Sequence, residues 1–216
     1  MNAIACPLCG DTQAKQPVAA RVPRDYCHCG NCALIFMLPS SHLSLDDERA
    51  YYATHENNVQ DDGYLKFLSR LATPMKQYLR MGMQGLDFGC GPGPAMPTLF
   101  AELQVDCDNY DPYFFPIALQ PQYDFILSSE CFEHFHQPAQ ELAKLVALLP
   151  KDGLLGVMTD TWQSHEQFYD WHYTRDPTHV SFFHRDTYDW LCQHYGLEVV
   201  EWLPPRVMIL RKSDKL

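Results

Sequence analysis

Positive charge is scarce in this chain of 216 residues: 16 lysines and arginines face 27 acidic residues, for a formal net charge of −11. A protein that lives on phosphate contacts carries a basic stripe, and none is present, which disfavours bulk nucleic acid and anionic membrane as partners. No apolar run approaches the roughly 20 residues that a bilayer-crossing helix needs. The opening stretch, MNAIACPLCG, lacks the basic and apolar regions of an export signal, so the expected compartment is the cytoplasm. Internal repeats and low-complexity tracts are missing as well. In such a chain nine cysteines argue against a disulfide framework and for free or metal-bound thiols. Disorder is disfavoured too, because 46% of the residues are hydrophobic and can build a core.

What is present is unevenly distributed. Five cysteines, Cys6, Cys9, Cys27, Cys29 and Cys32, lie in the first 32 residues. Cys6-x2-Cys9 and Cys29-x2-Cys32 are 19 residues apart, the spacing of a four-thiolate zinc site in which two turns supply a closed tetrahedron. Cys27 competes with Cys29 for the third position. The second turn, CGNCA, lacks the glycine that follows Cys9 in the first. Residues 1–40 therefore read as a small zinc-ribbon-like module with a structural metal. Residues 41–82 read as a helical linker packed on the core. Leu65, Leu68, Leu71, Met75 and Leu79 recur at helical spacing, Asp61-Asp62-Gly63 separates them from the preceding ERAYYATHENN, and Pro74 predicts a kink or a break into two helices.

From residue 83 to 216 strands and helices alternate, which implies an α/β domain with a parallel sheet covered on both faces. Strands are expected at GLDF, QVDCDNYD, YDFILSSE and DGLLGVMT, and helices at PAMPTLFAEL, PAQELAKLVALLP and RDTYDWLCQHYG. LEVVEW and RVMILRK, joined at Pro204-Pro205, are too close for a crossover and should form an antiparallel edge hairpin.

The first of these strands runs into LDFGCGPGP, residues 86–94. A phosphate-cradling P-loop needs Gly-Lys-Ser/Thr, and no lysine occurs in 84–100. The dinucleotide fingerprint needs a third glycine where Pro94 or Met96 stands, which makes an NAD-dependent oxidoreductase a weak alternative. The remaining pattern, Asp87-x-Gly89-x-Gly91-x-Gly93, resembles motif I of the class I S-adenosylmethionine (SAM) methyltransferases. An acidic residue suits the cationic methionine end of SAM, and bare glycines let the nucleoside lie against the backbone. YDFILSSECFEHFHQP and PKDGLLGV resemble the family's fourth strand with its following loop and the turn into its fifth strand, with Asp152 replacing a glycine.

The resemblance implies a Rossmann-like sheet and a cofactor set of Asp87, Gly89, Cys90, Gly91, Gly93, Asp111, Ser129 and Glu130. Asp111 would bind the ribose hydroxyls, with Asp108 as the fallback. Only 12 residues separate Asp111 from Asp124, so the third-strand region is shortened, and Phe114, Phe115 or backbone groups would have to receive the adenine. The cysteine module resembles the zinc-binding extension of some bacterial methyltransferases, which precedes a segment like Tyr51-Tyr52.

Chemistry on the acceptor side would fall to Glu133 and His134, after the fourth family strand, and to His179. The segment around His179 resembles a D-P-T-H-V-x-F-F signature that faces substrate in this family. His172 and His184 lack the spacing to join His179 around a metal, and Trp162, Phe168, Tyr169, Trp171 and Tyr173 could serve as core or as a lid. The reading is a methyltransferase acting on a small-molecule acceptor. Its competitor is a SAM-fold and zinc-ribbon binding module without catalysis.

Overall fold

The structure is a computed structural model that describes residues 4–13, 15–54, 59 and 61–213. Parts of the expected module (1–3 and 14) and of the expected helical linker (55–58 and 60) lie outside the described residues.

Three short strands open the chain: β1 (Lys15–Val18), β2 (Tyr26–Cys29) and β3 (Ile35–Met37). Helices α1 (Leu45–Tyr52) and α2 (Asp62–Lys76) follow. The rest comprises β4 (Gln84–Phe88), β5 (Asp106–Tyr110), β6 (Phe125–Ser129), α3 (Pro138–Leu148), β7 (Leu154–Met158), α4 (His165–Tyr169), β8 (Ser181–Phe182), α5 (Arg185–Tyr195), β9 (Leu197–Leu203) and β10 (Val207–Lys212). The main sheet has the order β5-β4-β6-β7-β10-β9. Strands β5, β4, β6 and β7 pair in parallel, and β10 runs antiparallel to both of its neighbours, giving the expected edge hairpin.

Alternation along the strands divides the core into two layers. Phe125, Leu127, Leu154, Met158, Val207 and Ile209 meet Leu68, Leu71 and Met75 of α2. Ile126, Leu155, Val157, Met208 and Leu210 meet Leu142 and Leu145 of α3 and Tyr188 and Leu191 of α5. The helix periods fit this arrangement, since each helix buries one stripe and leaves the other face wet.

A second, smaller sheet has the order β1-β2-β3-β8. Its last strand comes from the DPTHVSFF segment, with Ile35 opposite Phe182 and Phe36 opposite Ser181. Trp162, Phe168, Trp171 and Tyr173 pack here against Val18, Tyr26, Ile35 and Met37. These aromatics are therefore core, and only Tyr169 is exposed.

Two expectations are corrected. PAMPTLFAEL forms its helix as a 3-10 rather than an α-helix, over Met96–Leu103, with Pro97 in its first turn. Pro74 does not split α2, which continues to Lys76; the proline lies in the last turn, and Leu71, Ala72 and Met75 around it are buried. The start of α2 is set by Asp61, whose carboxylate accepts from the N–H groups of Gly63 and Tyr64. As the chain length suggested, no regular element fills the stretch between Asp111 and Asp124. It holds one isolated bridge, Asp111 to Phe115, and β5 is the sheet edge.

Gly85 on β4 is a packing requirement. A Cβ there would lie 2.1 Å from the Phe125 ring. Gly85→Ala should therefore lower stability by about 1–3 kcal/mol, read as a fall in the denaturation midpoint at an unchanged slope.

Candidate cofactor and acceptor cavity

The carboxyl ends of β4, β5 and β6 converge on a cavity of about 750 Å³. This is the edge at which open α/β sheets accept ligands, and the volume lies in the range of small-molecule sites. At its floor the chain leaves β4 through Gly89 (φ 79°) and Gly91 (φ 63°), a left-handed conformation that glycine adopts without strain. A Cβ on Gly89 would sit 2.2 Å from the Cys131 sulfur. The loop is held from beside it. The N–H groups of Gly89 and Cys90 donate to the Tyr110 carbonyl at 2.8 and 3.2 Å.

Asp111 completes that attachment. Its Oδ2 accepts from Gly91 N–H at 3.2 Å, and its Oδ1 accepts from the N–H groups of Tyr113 and Phe114 at 2.8 and 3.1 Å. Asp108 points elsewhere, its carboxylate taken by Tyr123 and Gln120. Asp87 is almost fully enclosed at 4% exposure. Burial, together with the charge of Asp111, pushes its carboxyl up to about 7.

Of the residues singled out in the sequence, Asp87, Gly89, Cys90, Gly91, Asp111, Ser129, Glu130, His134 and His179 line the cavity, whereas Gly93 and Glu133 do not. Phe114 is on the wall and Phe115 is not. Glu130 follows β6 with φ 48° and receives the Arg206 guanidinium at 3.0 Å. Burial and the neighbouring Glu133 nevertheless raise its carboxyl to about 8. Glu133 lies behind the wall, fully buried, with the Tyr173 hydroxyl donating to its Oε1. His134 and His179 stand side by side, ring centroids 4.8 Å apart. His172 and His184 are not with them: His172 faces Asp160, and His184 caps α5 against Trp162.

Sequence reasoning missed the opposite wall. Glu48 and Tyr52 of α1 and Tyr64 and Phe67 of α2 face the cavity. Tyr64 and Phe67 precede Leu68 by four residues and one, so they flank the buried stripe of α2, and aromatics in that position were the available signal. Glu48 is buried and held by His136 Nε2, which lies 3.2 Å from both of its oxygens, and by the Tyr52 hydroxyl at 3.0 Å.

In the amino-terminal segment the sulfurs of Cys6, Cys9, Cys29 and Cys32 all lie within 4.8 Å of one another, and Cys27 is outside the group. Cys6 to Cys32 is 3.6 Å and Cys9 to Cys29 is 3.5 Å. A zinc tetrahedron with bonds near 2.3 Å has edges of about 3.8 Å, so the donor set matches that metal in type and size. The two turns are alike although only the first has glycine after its last cysteine: Gly10 has φ 73° and Ala33 has φ 56°.

Asp87 sets a pH dependence. Its folded pKa, about 7, exceeds the usual 3.8, so the stability it contributes is present below about pH 4 and lost as pH rises through 7. Asp87→Asn should melt higher than the wild type at pH 8, and the difference should narrow as pH falls below 7 and vanish only near pH 4, in melts without ligand.

A family model described as "Methyltransferase domain" matches residues 55–202. No curated protein matches the sequence. Among solved structures, the Burkholderia thailandensis 1,6-didemethyltoxoflavin-N1-methyltransferase, with bound 1,6-didemethyltoxoflavin and S-adenosylhomocysteine, is 16% identical with a TM-score of 0.51, covering 92% of this chain and 100% of its own. A Galdieria sulphuraria protein assigned as a sarcosine dimethylglycine methyltransferase is 16% identical with a TM-score of 0.53, covering 79% of this chain and 100% of its own. The cyclopropane synthase MmaA2 of Mycobacterium tuberculosis is 18% identical with a TM-score of 0.50, covering 74% of each chain.

Proposed function

Because this chain belongs to the methyltransferase-domain family, among the class I SAM-dependent methyltransferases, we propose that it moves a methyl group from SAM to a small-molecule acceptor. The observation that carries this reading is the glycine loop on the cavity floor, with Asp87 beneath it and Asp111 clamping it. In this reading residues 1–40 form a zinc ribbon, 41–82 a helical wall and 83–216 the SAM-binding domain.

The cationic methionine end of SAM would lie over the Asp87 side of the loop, where a positive charge offsets the cost of burying a carboxylate. Ribose would meet Asp111 and the bare backbone at Gly89 and Gly91. Ser129 and Glu130 at the end of β6 would border the sulfonium, and Tyr113 and Phe114 would offer the adenine apolar faces. Methyl transfer is an in-line displacement: a lone pair of the acceptor forms the new bond to the methyl carbon, and the C–S pair returns to sulfur. The protein's contribution is to position the two partners and exclude water. His134 and His179 stand on the acceptor side of the wall, where the acceptor's proton has to be handled. Enclosure of the site and the acidic balance of the chain both support a small acceptor over a polymer.

SAM should raise the melting temperature of the wild type, and Gly89→Ala should abolish that rise, since its Cβ has no room and the backbone there is left-handed. A wild type that shows neither a melting shift nor calorimetric heat with SAM overturns the proposal. SAM binding without turnover on any acceptor would favour the binding-module alternative, to which the missing third strand lends support.

For the ribbon, purified protein should carry one zinc per chain. Cys9→Ser or Cys29→Ser should remove it and lower the melting temperature, because structural zinc binding is coupled to folding. Full zinc occupancy in both variants would refute the four-cysteine site.

A further inference from the structure

Behind the acceptor wall, one ring nitrogen each of His134 and His179 and one carboxylate oxygen of Glu133 lie within 4.8 Å of one another. The rings are already oriented. His134 Nδ1 faces the Thr178 carbonyl at 3.2 Å, and His179 Nδ1 faces the Tyr173 carbonyl at 2.8 Å. A carbonyl has no proton to give, so each neutral ring is protonated at Nδ1 and offers its lone pair at Nε2. Metal-ligating histidines are fixed in this way, by a backbone carbonyl on the far nitrogen. Glu133 is prepared in the same sense. The Tyr173 hydroxyl occupies Oε1, while Oε2 is buried without a hydrogen-bond partner among the described residues, at a side chain with 0% exposure. An acceptor oxygen so enclosed is costly unless a cation or donor meets it.

We propose that Glu133, His134 and His179 form a second metal site, separate from the four cysteines, that binds one divalent transition-metal ion of the Mn, Fe, Co or Zn class. Two imidazoles and one carboxylate suit such ions and leave coordination positions open. Since His134 and His179 line the cavity and Glu133 lies behind it, those open positions face the cavity. Asp176, whose Oδ2 is 3.8 Å from His179 Nε2, stands near enough to join or to hold a bound water.

Resting on the methyltransferase reading, the site also narrows the acceptor to one that presents an oxygen. A metal held there would acidify a bound hydroxyl, whose proton would leave to solvent. The oxygen pair would then form the C–O bond as the C–S bond of SAM breaks and its electron pair returns to sulfur. His134 and His179 would thereby handle the acceptor proton through the ion they hold.

The test uses protein carrying one equivalent of zinc, enough to fill the tighter four-thiolate cluster and leave the second site open, titrated with Mn²⁺ and followed by electron paramagnetic resonance. One Mn²⁺ per chain is expected, with affinity falling at least tenfold in His179→Gln and in Glu133→Gln. His134→Gln, at a less buried position, gives the same readout should either of the others fail to fold. Wild-type protein that binds no Mn²⁺, or folded variants that bind it as tightly as the wild type, would overturn the site. SAM-induced melting shifts are recorded on the same samples. Mn²⁺ binding without any SAM response would overturn the methyltransferase reading and leave the metal site standing, and the converse result would do the reverse.

Discussion

One carboxylate substitutes for a missing strand. In a sheet that ends at β5, nothing beyond that edge would hold the turn after Tyr110 in place, yet the glycine loop leans on that turn. Asp111 meets the constraint by accepting three backbone N–H bonds, one from the glycine loop and two from its own turn. Charge-assisted bonds of this kind are stronger than neutral ones, and three donors compensate a buried carboxylate well. The same group that shapes the loop also raises Asp87. The two acids, one exposed to the cavity through its turn and one enclosed below it, create a site with an unmet demand for positive charge.

The parts legible in the sequence were those whose signal is local. β4, β6 and β7 read as short apolar runs bounded by turn residues, and α3 and α5 as single apolar stripes, because burial against one layer forces those periods. The LDFGCGPGP loop was legible because few backbones need glycines so closely spaced after a strand. Pro74 and Pro97 were harder, since a proline's effect depends on where in the final turns it falls and on how firmly its neighbours are buried. The choice between Cys27 and Cys29 could not be made from spacing. The two lie two residues apart on β2, and only the three-dimensional position of the sulfurs separates them.

The wall opposite the glycine loop was not legible because its residues are brought together from distant parts of the chain. Glu48 reaches His136, and Tyr51 reaches Asp176, across pairings that no periodicity announces. The aromatic stretch 162–182 was ambiguous for the same reason. Its rings needed a partner surface, and that surface is the β1–β3 sheet, whose own residues carry too little apolar area to stand alone.

That partnership orders events in time as well as in space. The small sheet begins at residue 15 and is completed only by β8, where Ile35 finds Phe182. Val180 lies between the two halves, donating to the Glu133 carbonyl while its own carbonyl accepts from Met37. The sheet beside the cysteine turns is thus closed by a contact of very high sequence separation, which carries a large loop-closure cost. Until that closure the early strands present an open edge, which early metal capture would help to keep compact. The cysteine module therefore depends for its last strand on a segment that lies about 140 residues further along the chain.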